Sequence, residues 1–194
     1  MTDREPILVF DAGNTRIKAA IFGEAGLIHE FQIGTDDYAT VSLDRILTDE
    51  VARRPSGVIL GSVVRGVADA FAPVVKRLWG LDMLIVSLDM PIGVRVDVPN
   101  PETVGIDRLL ISGEAYAETT TSTVVVGVGT AITVDVVTRD GVYLGGTISP
   151  GLRTSTWALS KRTSLLPDVD VDVDVDDDEG GVPKSTPSSI RTGV

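Results

Sequence analysis

The chain has 194 residues, of which 43% are hydrophobic, so it is long and apolar enough to form a packed core in one domain or two small ones. It has no cysteine, which excludes disulfides, thiolate metal sites and a thiol nucleophile and suits a reducing cytoplasm. The net charge of −11 argues against nucleic acid or an anionic membrane as the main partner, and neither a signal-peptide core nor a membrane-spanning apolar run is visible.

In chain order, the sequence predicts strands alternating with helices, which is typical of an α/β sheet. A strand, a tight turn at Gly13 and Asn14, and a second strand are predicted within residues 7–22. The predicted elements that follow are a helix over residues 36–54, a strand over 57–63, a helix over 67–79 and a strand over 83–86.

The remaining elements continue this alternation after an extended, proline-bearing stretch at residues 91–101. They are a helix over 107–117, strands over 124–126 and 132–137, a hairpin turn at 139–141, a strand over 142–144 and a helix over 152–161. Residues 168–181 are an acidic, low-complexity stretch whose spacing does not fit an EF-hand loop. We expect a solvated acidic loop there, and weak divalent-ion binding is the alternative.

Two segments of the chain share one layout, which is an apolar strand, a glycine turn with short polar side chains, and a second strand. With a constant offset of 116 residues, the matched positions are Gly13 and Gly129, Asn14 and Thr130, and Ile17 and Thr133. Duplicated turns of this kind can face one another across a cleft and donate hydrogen bonds to an oligophosphate. A carboxylate such as Asp11 would hold the cation that screens the phosphate charge. Two unrelated β-hairpins are the alternative, because glycine turns are common in α/β proteins.

Short motifs occur in a fixed order along the chain. Residues 11–18 read DAGNTRIK, and Asn100-Pro101 is followed by GIDR at residues 105–108. Residues 129–135 read GTAITVD, residues 145–151 read GGTISPG, and residues 183–186 read PKST. In the same order, these segments resemble the DxGNTxxK, NP…GxDR, GTAxTxD, GGxIxPG and GKST segments of the type III pantothenate kinase family.

The resemblance implies an α/β fold of the actin-like (ribonuclease H-like) ATPase class, with two related halves at residues 1–113 and 114–194. The second half is expected to be incomplete, because the family continues beyond the position of Val194. The resemblance also implies a cytoplasmic homodimer that transfers the γ-phosphoryl group of ATP to pantothenate, the first step of coenzyme A biosynthesis. Its implied cofactors are Mg²⁺ and a monovalent cation, K⁺ or NH₄⁺.

The resemblance further implies roles for individual residues, with Asp107 as the general base and Asp11 as the metal ligand. The residues implied to contact the nucleotide are Asp11, Gly13, Asn14, Thr15, Lys18, Gly129 and Thr130. Those implied to bind pantothenate are Gly105, Ile106, Asp107, Arg108 and Thr186, with Arg108 as the cation for its carboxylate. From the residues alone, a purely structural Asp107, favoured by the dipole at a helix N-terminus, is the alternative.

The sequence departs from the family pattern at two positions. Gly127 stands where the family has an aspartate linked to cation binding, and Asp135 cannot be assumed to replace it. Val98 stands where an aromatic residue is expected. The first hypothesis is therefore a pantothenate kinase of full or reduced activity. Its alternative is a non-catalytic nucleotide-binding or regulatory protein of the same fold.

Overall fold

The computed structural model describes residues 5–171 and 181–194, which include two β-sheets. The first elements of the chain are β1 (Ile7–Ala12), β2 (Arg16–Gly23), β3 (Gly26–Gly34), α1 (Leu43–Glu50), β4 (Gly57–Ser62), α2 (Val67–Trp79) and β5 (Met83–Ile85). Their strands form the first sheet, in the order β3-β2-β1-β4-β5. The first three strands pair antiparallel, whereas β4 and β5 extend the sheet in parallel pairs.

The second sheet is formed by the part of the chain from residue 95 onward. The elements there are β6 (Arg95–Val96), a 3₁₀ helix (Pro101–Thr103), α3 (Ile106–Thr119), β7 (Thr123–Val128), β8 (Ala131–Val137), β9 (Val142–Pro150), α4 (Leu152–Arg162) and α5 (Thr186–Gly193). The strand order is β6-β9-β8-β7, so β7 forms one edge. Strands β7, β8 and β9 form an antiparallel meander whose first hairpin carries a glycine turn, whereas β6 pairs parallel with β9. Within the described residues, no helix has the length and apolarity to cross a membrane.

The core of the first sheet fixes the direction in which β1 presents its side chains. Phe10 and Ala12 are each 1% exposed, and the Phe10 ring packs edge-on against Phe71 of α2 with 5.1 Å between ring centroids. Successive side chains of a strand point to opposite faces. Asp11 therefore points away from this core, toward the other face of the sheet.

Helix α3 connects the two sheets on the face toward which Asp11 points. Its Leu109 is fully buried in a cluster with Tyr143 of β9. Gly61 of β4 lies beside Asp11 in the sheet, and a Cβ on Gly61 would contact Leu110 of α3 at 3.4 Å. The division at residue 113 that the resemblance implies falls inside this helix.

The predicted elements differ from the observed ones mainly in residues 24–56 and near the C-terminus. The helix predicted over residues 36–54 is wrong at both ends, because turns occupy residues 35–40 and α1 spans only Leu43–Glu50. Strand β3 was not predicted, since its first residues are exposed on both faces and give no alternating pattern. Helix α5 was also not predicted, and most of the acidic stretch at 168–181 lies outside the described residues.

The observed hairpin registers change the predicted alignment of the two repeated segments. Ala12 pairs with Ile17 across the first turn, whereas Val128 pairs with Ile132 across the second. The second turn is therefore one residue shorter. The constant offset of 116 is right up to the turn but wrong after it, because Ile17 corresponds to Ile132 and not to Thr133.

Candidate active site

The two glycine turns, one from each sheet, meet at one point. The Oγ1 atoms of Thr15 and Thr130 lie 2.7 Å apart and share a hydrogen bond across 115 residues of sequence. Counted back from the matched residues Ile17 and Ile132, Thr15 corresponds to Thr130, so the pairing of Asn14 with Thr130 was wrong in this register. Asn14, Thr15 and Thr130 are exposed, so a ligand can reach them. The turns thus face one another, as the sequence predicts.

Each turn is supported from behind by a threonine that the sequence did not single out. Thr35 is buried; its Oγ1 donates to the carbonyl oxygen of Gly13 at 2.7 Å, and its N–H donates to that of Thr15 at 3.1 Å. Thr154 Oγ1 donates to the carbonyl oxygen of Thr130 at 2.6 Å. These bonds hold the carbonyl oxygens toward the protein and the hydroxyl groups toward the opposite turn.

The glycines of the GGTISPG segment allow β9 and α4 to pass close to β8 and the second turn. A Cβ on Gly146 would overlap the carbonyl oxygen of Val134. A Cβ on Gly151 would overlap that of Gly129, and the Gly151 N–H donates to the carbonyl oxygen of Thr130 at 2.9 Å. Gly151 is therefore part of the packing that places the second turn.

Replacing Gly151 with Ala is expected to lower the free energy of unfolding by about 2 kcal/mol and to raise the KM for ATP, because the new methyl group pushes the second turn outward. Thermal denaturation and initial-rate kinetics measure the two effects. Gly57→Ala is the matched control, since nothing lies within 4 Å of a Cβ at that strand position. Equal stability of the two variants would contradict the close packing at Gly151.

Asp11, Lys18 and Asp107 form one electrostatic group beside the first turn. Asp11 lies directly opposite Lys18 in the β1–β2 pairing. Burial raises the pKa of Asp11 above its ordinary value, and the Asp107 carboxylate raises it further, whereas Lys18 lowers it. The group thus carries negative charge that Lys18 does not fully compensate.

Asp107 lies in the first turn of α3, after the N-cap residue Gly105. A Cβ on Gly105 would overlap Asp107 Oδ1, so the glycine leaves room for the carboxylate at the helix start. That oxygen accepts a hydrogen bond from the Arg108 N–H at 2.8 Å. The helix N-terminus favours a carboxylate here, and this carboxylate is close enough to Asp11 to contribute to its raised pKa. The side chain of Ile106, by contrast, packs in the core.

Arg108 is engaged by partners that sequence reasoning did not identify. Its Nε donates to Asp135 Oδ2 at 3.1 Å, and its Nη2 donates to Oδ1 of the same carboxylate. The Tyr143 hydroxyl also donates to Asp135 Oδ1, at 2.6 Å. Asp135 is only 2% exposed and lies between these two side chains. Asp135 therefore does not replace the carboxylate that Gly127 lacks.

The second turn lacks both members of the Asp11–Lys18 pair. The corresponding opposed residues are Gly127 and Thr133, and a Cβ on Gly127 would lie 2.7 Å from Thr133 Oγ1. In the part of the chain that the structure describes, no group of three or more His, Cys, Asp or Glu side chains could hold a metal ion. A cation at the turns would accordingly depend on Asp11, phosphate oxygens and water.

Thr186 lies apart from the other predicted residues, in the first turn of α5. It lines a cavity of about 490 Å³ together with Leu159, Leu166 and other residues of the α5 segment. Residues 105–108 do not line this cavity. The structure thus brings together the two turns, Asp11, Lys18 and Asp107, but places Thr186 in a separate cavity.

Comparison with known proteins identifies the relatives of this chain. The family model described as type III pantothenate kinase matches residues 7–194. The type III pantothenate kinase of Finegoldia magna is 34% identical over 196 residues, covering 97% of this chain and 73% of that protein. That of Geobacter sulfurreducens is 35% identical over 171 residues, covering 84% of this chain and 67% of that protein.

A solved structure supports the fold. The putative 2-dehydro-3-deoxygalactonokinase of Sinorhizobium meliloti has a TM-score of 0.51 at 15% identity, and the match covers 82% of this chain and 58% of that one. This likeness confirms the predicted α/β fold of the actin-like ATPase class. The family model spans nearly the whole sequence, and the relatives exceed 30% identity. The chain belongs to the type III pantothenate kinase family.

Proposed function

We propose that this chain phosphorylates pantothenate to 4′-phosphopantothenate with ATP, the first step of coenzyme A biosynthesis. Membership of the family supports the reaction. The observation that carries the proposal is the contact between Thr15 and Thr130, which joins the two phosphate turns at one point. Asp11 and Asp107 interact beside the first of these turns, so a cation ligand and a base adjoin the same site.

In this proposal the triphosphate of ATP binds between the two turns. It replaces the hydrogen bond between Thr15 and Thr130, and each hydroxyl then donates to a phosphate oxygen. Lys18 adds a positive charge beside the first turn. The proposed nucleotide contacts are Asp11, Gly13, Asn14, Thr15, Lys18, Gly129 and Thr130.

The residues of the first turn fit a Mg²⁺ ion. Burial and the Asp107 carboxylate raise the pKa of Asp11, so a cation at Asp11 would relieve an unfavourable negative charge. Magnesium is commonly held by one or two carboxylates together with phosphate oxygens and water, which matches Asp11 at the end of β1 as its protein ligand. When bound, Mg²⁺ would neutralise charge that develops on the transferred phosphoryl group.

We propose that pantothenate binds over the first turn of α3, where Asp107 accepts the proton of the attacking hydroxyl. Gly105 and Ile106 contact pantothenate through their backbone, since the Ile106 side chain lies in the core. Arg108 contributes the guanidinium N–H groups that do not bond to Asp135. Thr186 is proposed to bind a distal part of the substrate in the cavity beside α5.

The monovalent cation, K⁺ or NH₄⁺, is proposed to bind only weakly at the second turn. Position 127 supplies no carboxylate, so the second turn does not fit a tightly held K⁺ or NH₄⁺ ion.

We also propose a cytoplasmic homodimer. The exposed apolar side chains of Val124, Val126 and Val128 on the edge strand β7, at 63%, 58% and 72% exposure, support an oligomer.

Replacing Gly127 with Asp is expected to raise kcat about threefold to tenfold and to increase its dependence on K⁺ or NH₄⁺, because the variant restores a carboxylate beside the phosphates. Initial rates at graded K⁺ concentrations measure the effect. Thr133 Oγ1 would lie 2.7 Å from the new Cβ, so the variant is also made together with Thr133→Ala. Thr121→Asp, which adds the same charge at an exposed position just before β7, is the control. If Gly127→Asp, alone and combined with Thr133→Ala, keeps the wild-type rate at every K⁺ concentration as the control does, a cation role for position 127 is refuted.

The proposed function is tested by measuring phosphopantothenate formation by mass spectrometry. The reaction contains the whole chain, ATP, pantothenate and Mg²⁺, with K⁺, NH₄⁺ or Na⁺ added in turn. Product that requires both ATP and Mg²⁺ is the expected result. Folded protein that binds ATP but forms no product would favour the non-catalytic alternative.

A further inference from the structure

The ion pair between Arg108 and Asp135 differs from the other ion pairs of the described residues in its burial. The side chains of Arg108 and Asp135 are 15% and 2% exposed, whereas those of Lys76 and Asp82 are 55% and 90% exposed. Burying two charges costs desolvation free energy, so a buried pair is weak evidence for a gain in stability. What the pair provides is a fixed orientation of the Arg108 guanidinium.

Three elements hold this pair in one orientation. Arg108 comes from α3, Asp135 from β8 and Tyr143 from β9. Two N–H groups of the guanidinium bond to the two oxygens of one carboxylate, which fixes the plane of the guanidinium. The hydroxyl of Tyr143, a fully buried residue, fixes the carboxylate in turn.

The restrained arginine is adjacent to the proposed base. The Arg108 N–H donates to Asp107 Oδ1 at 2.8 Å, so the backbone that carries the guanidinium also orients the Asp107 carboxylate. We propose that Asp135 and Tyr143 are positioning residues, which orient Arg108 toward pantothenate and hold the α3 turn that carries Asp107. This inference rests on the proposed pantothenate kinase activity.

Asp135→Asn is expected to raise the KM for pantothenate about tenfold or more and to lower kcat, because a misplaced guanidinium and base both weaken the reaction. The KM for ATP is expected to stay within about twofold, because Asp135 bonds to neither phosphate turn. Tyr143→Phe removes only the hydroxyl and is expected to raise the KM for pantothenate about threefold. Steady-state kinetics with each substrate varied separately give these values.

Ser112→Ala is the matched control. Ser112 is fully buried on α3, one helical turn beyond Arg108, and its hydroxyl has no hydrogen-bond partner in the described structure. The control is expected to keep both KM values. Melting temperatures of all variants are measured alongside, so that a loss of stability is distinguished from a change in pantothenate KM.

The outcomes separate the inference from the proposed function. A wild-type chain that makes no phosphopantothenate overturns the proposed function, and the inference with it. An active wild-type chain whose Asp135→Asn and Tyr143→Phe variants melt earlier but keep the wild-type pantothenate KM and kcat overturns the inference alone. Should Asp135→Asn fail to fold, the pantothenate KM of Tyr143→Phe decides the question.

Discussion

Replacing Asp107 with Asn is expected to lower kcat about 10²- to 10⁴-fold while leaving ATP affinity unchanged. Asparagine has the shape of aspartate and its side-chain oxygen can still accept the Arg108 N–H, so α3 begins in the same way. It cannot accept the proton of the pantothenate hydroxyl. Single-turnover rates and ATP titration calorimetry measure the two quantities.

The control for this variant is Glu114→Gln, which removes an exposed carboxylate from the same helix. It is expected to keep the wild-type rate, so a change of net charge on α3 is not by itself sufficient to lower kcat. A wild-type rate in Asp107→Asn would remove Asp107 from the role of base. The position would then be explained by the helix N-terminus alone.

Replacing Asp11 with Asn is expected to lower kcat about 10²- to 10³-fold and, at neutral pH, to raise the melting temperature. The loss of rate follows from the loss of the proposed metal ligand. The gain in stability follows because burial raises the pKa of Asp11, so that its ionised form destabilises the folded state. Kinetics at saturating Mg²⁺ and thermal denaturation measure the two effects.

The gain in melting temperature of the Asp11→Asn variant is expected to depend on pH. A raised folded-state pKa means that the folded chain binds a proton more tightly than the unfolded chain. The stabilisation by that proton is complete below the ordinary aspartate pKa of 3.8 and is lost as pH rises through the raised value. The melting-temperature advantage of the variant is therefore expected at neutral pH and should vanish in acid. An advantage that is constant with pH, or also present in the exposed control Asp89→Asn, would contradict this explanation.

The local part of the site could be predicted from the sequence because it depends on short-range patterns. Apolar alternation and the glycine turn specify the first hairpin, and the hairpin register then places Asp11 opposite Lys18. The same reasoning failed after the second turn, where one residue fewer shifts the repeat. A constant offset cannot detect such a change in turn length.

The supporting contacts could not be predicted, because they join residues that are distant in the chain. Thr35 supports Gly13 from the end of β3, a strand whose exposed residues gave no sequence signal. The neighbours Asp107 and Arg108 predict a base and a cation, but not that Asp135 binds the cation. Motif order likewise carries no distances, and the separate cavity of Thr186 was for that reason not foreseen.

The binding of one triphosphate by both glycine turns is tested by a crystal structure with a non-hydrolysable ATP analogue, Mg²⁺ and pantothenate. The γ-phosphate is expected between the hydroxyls of Thr15 and Thr130, whose oxygen atoms should then lie farther apart than their present 2.7 Å. The pantothenate hydroxyl is expected within about 3 Å of the Asp107 carboxylate. An analogue bound elsewhere, with the bond between the two threonines unchanged, would show that the turns do not bind the triphosphate.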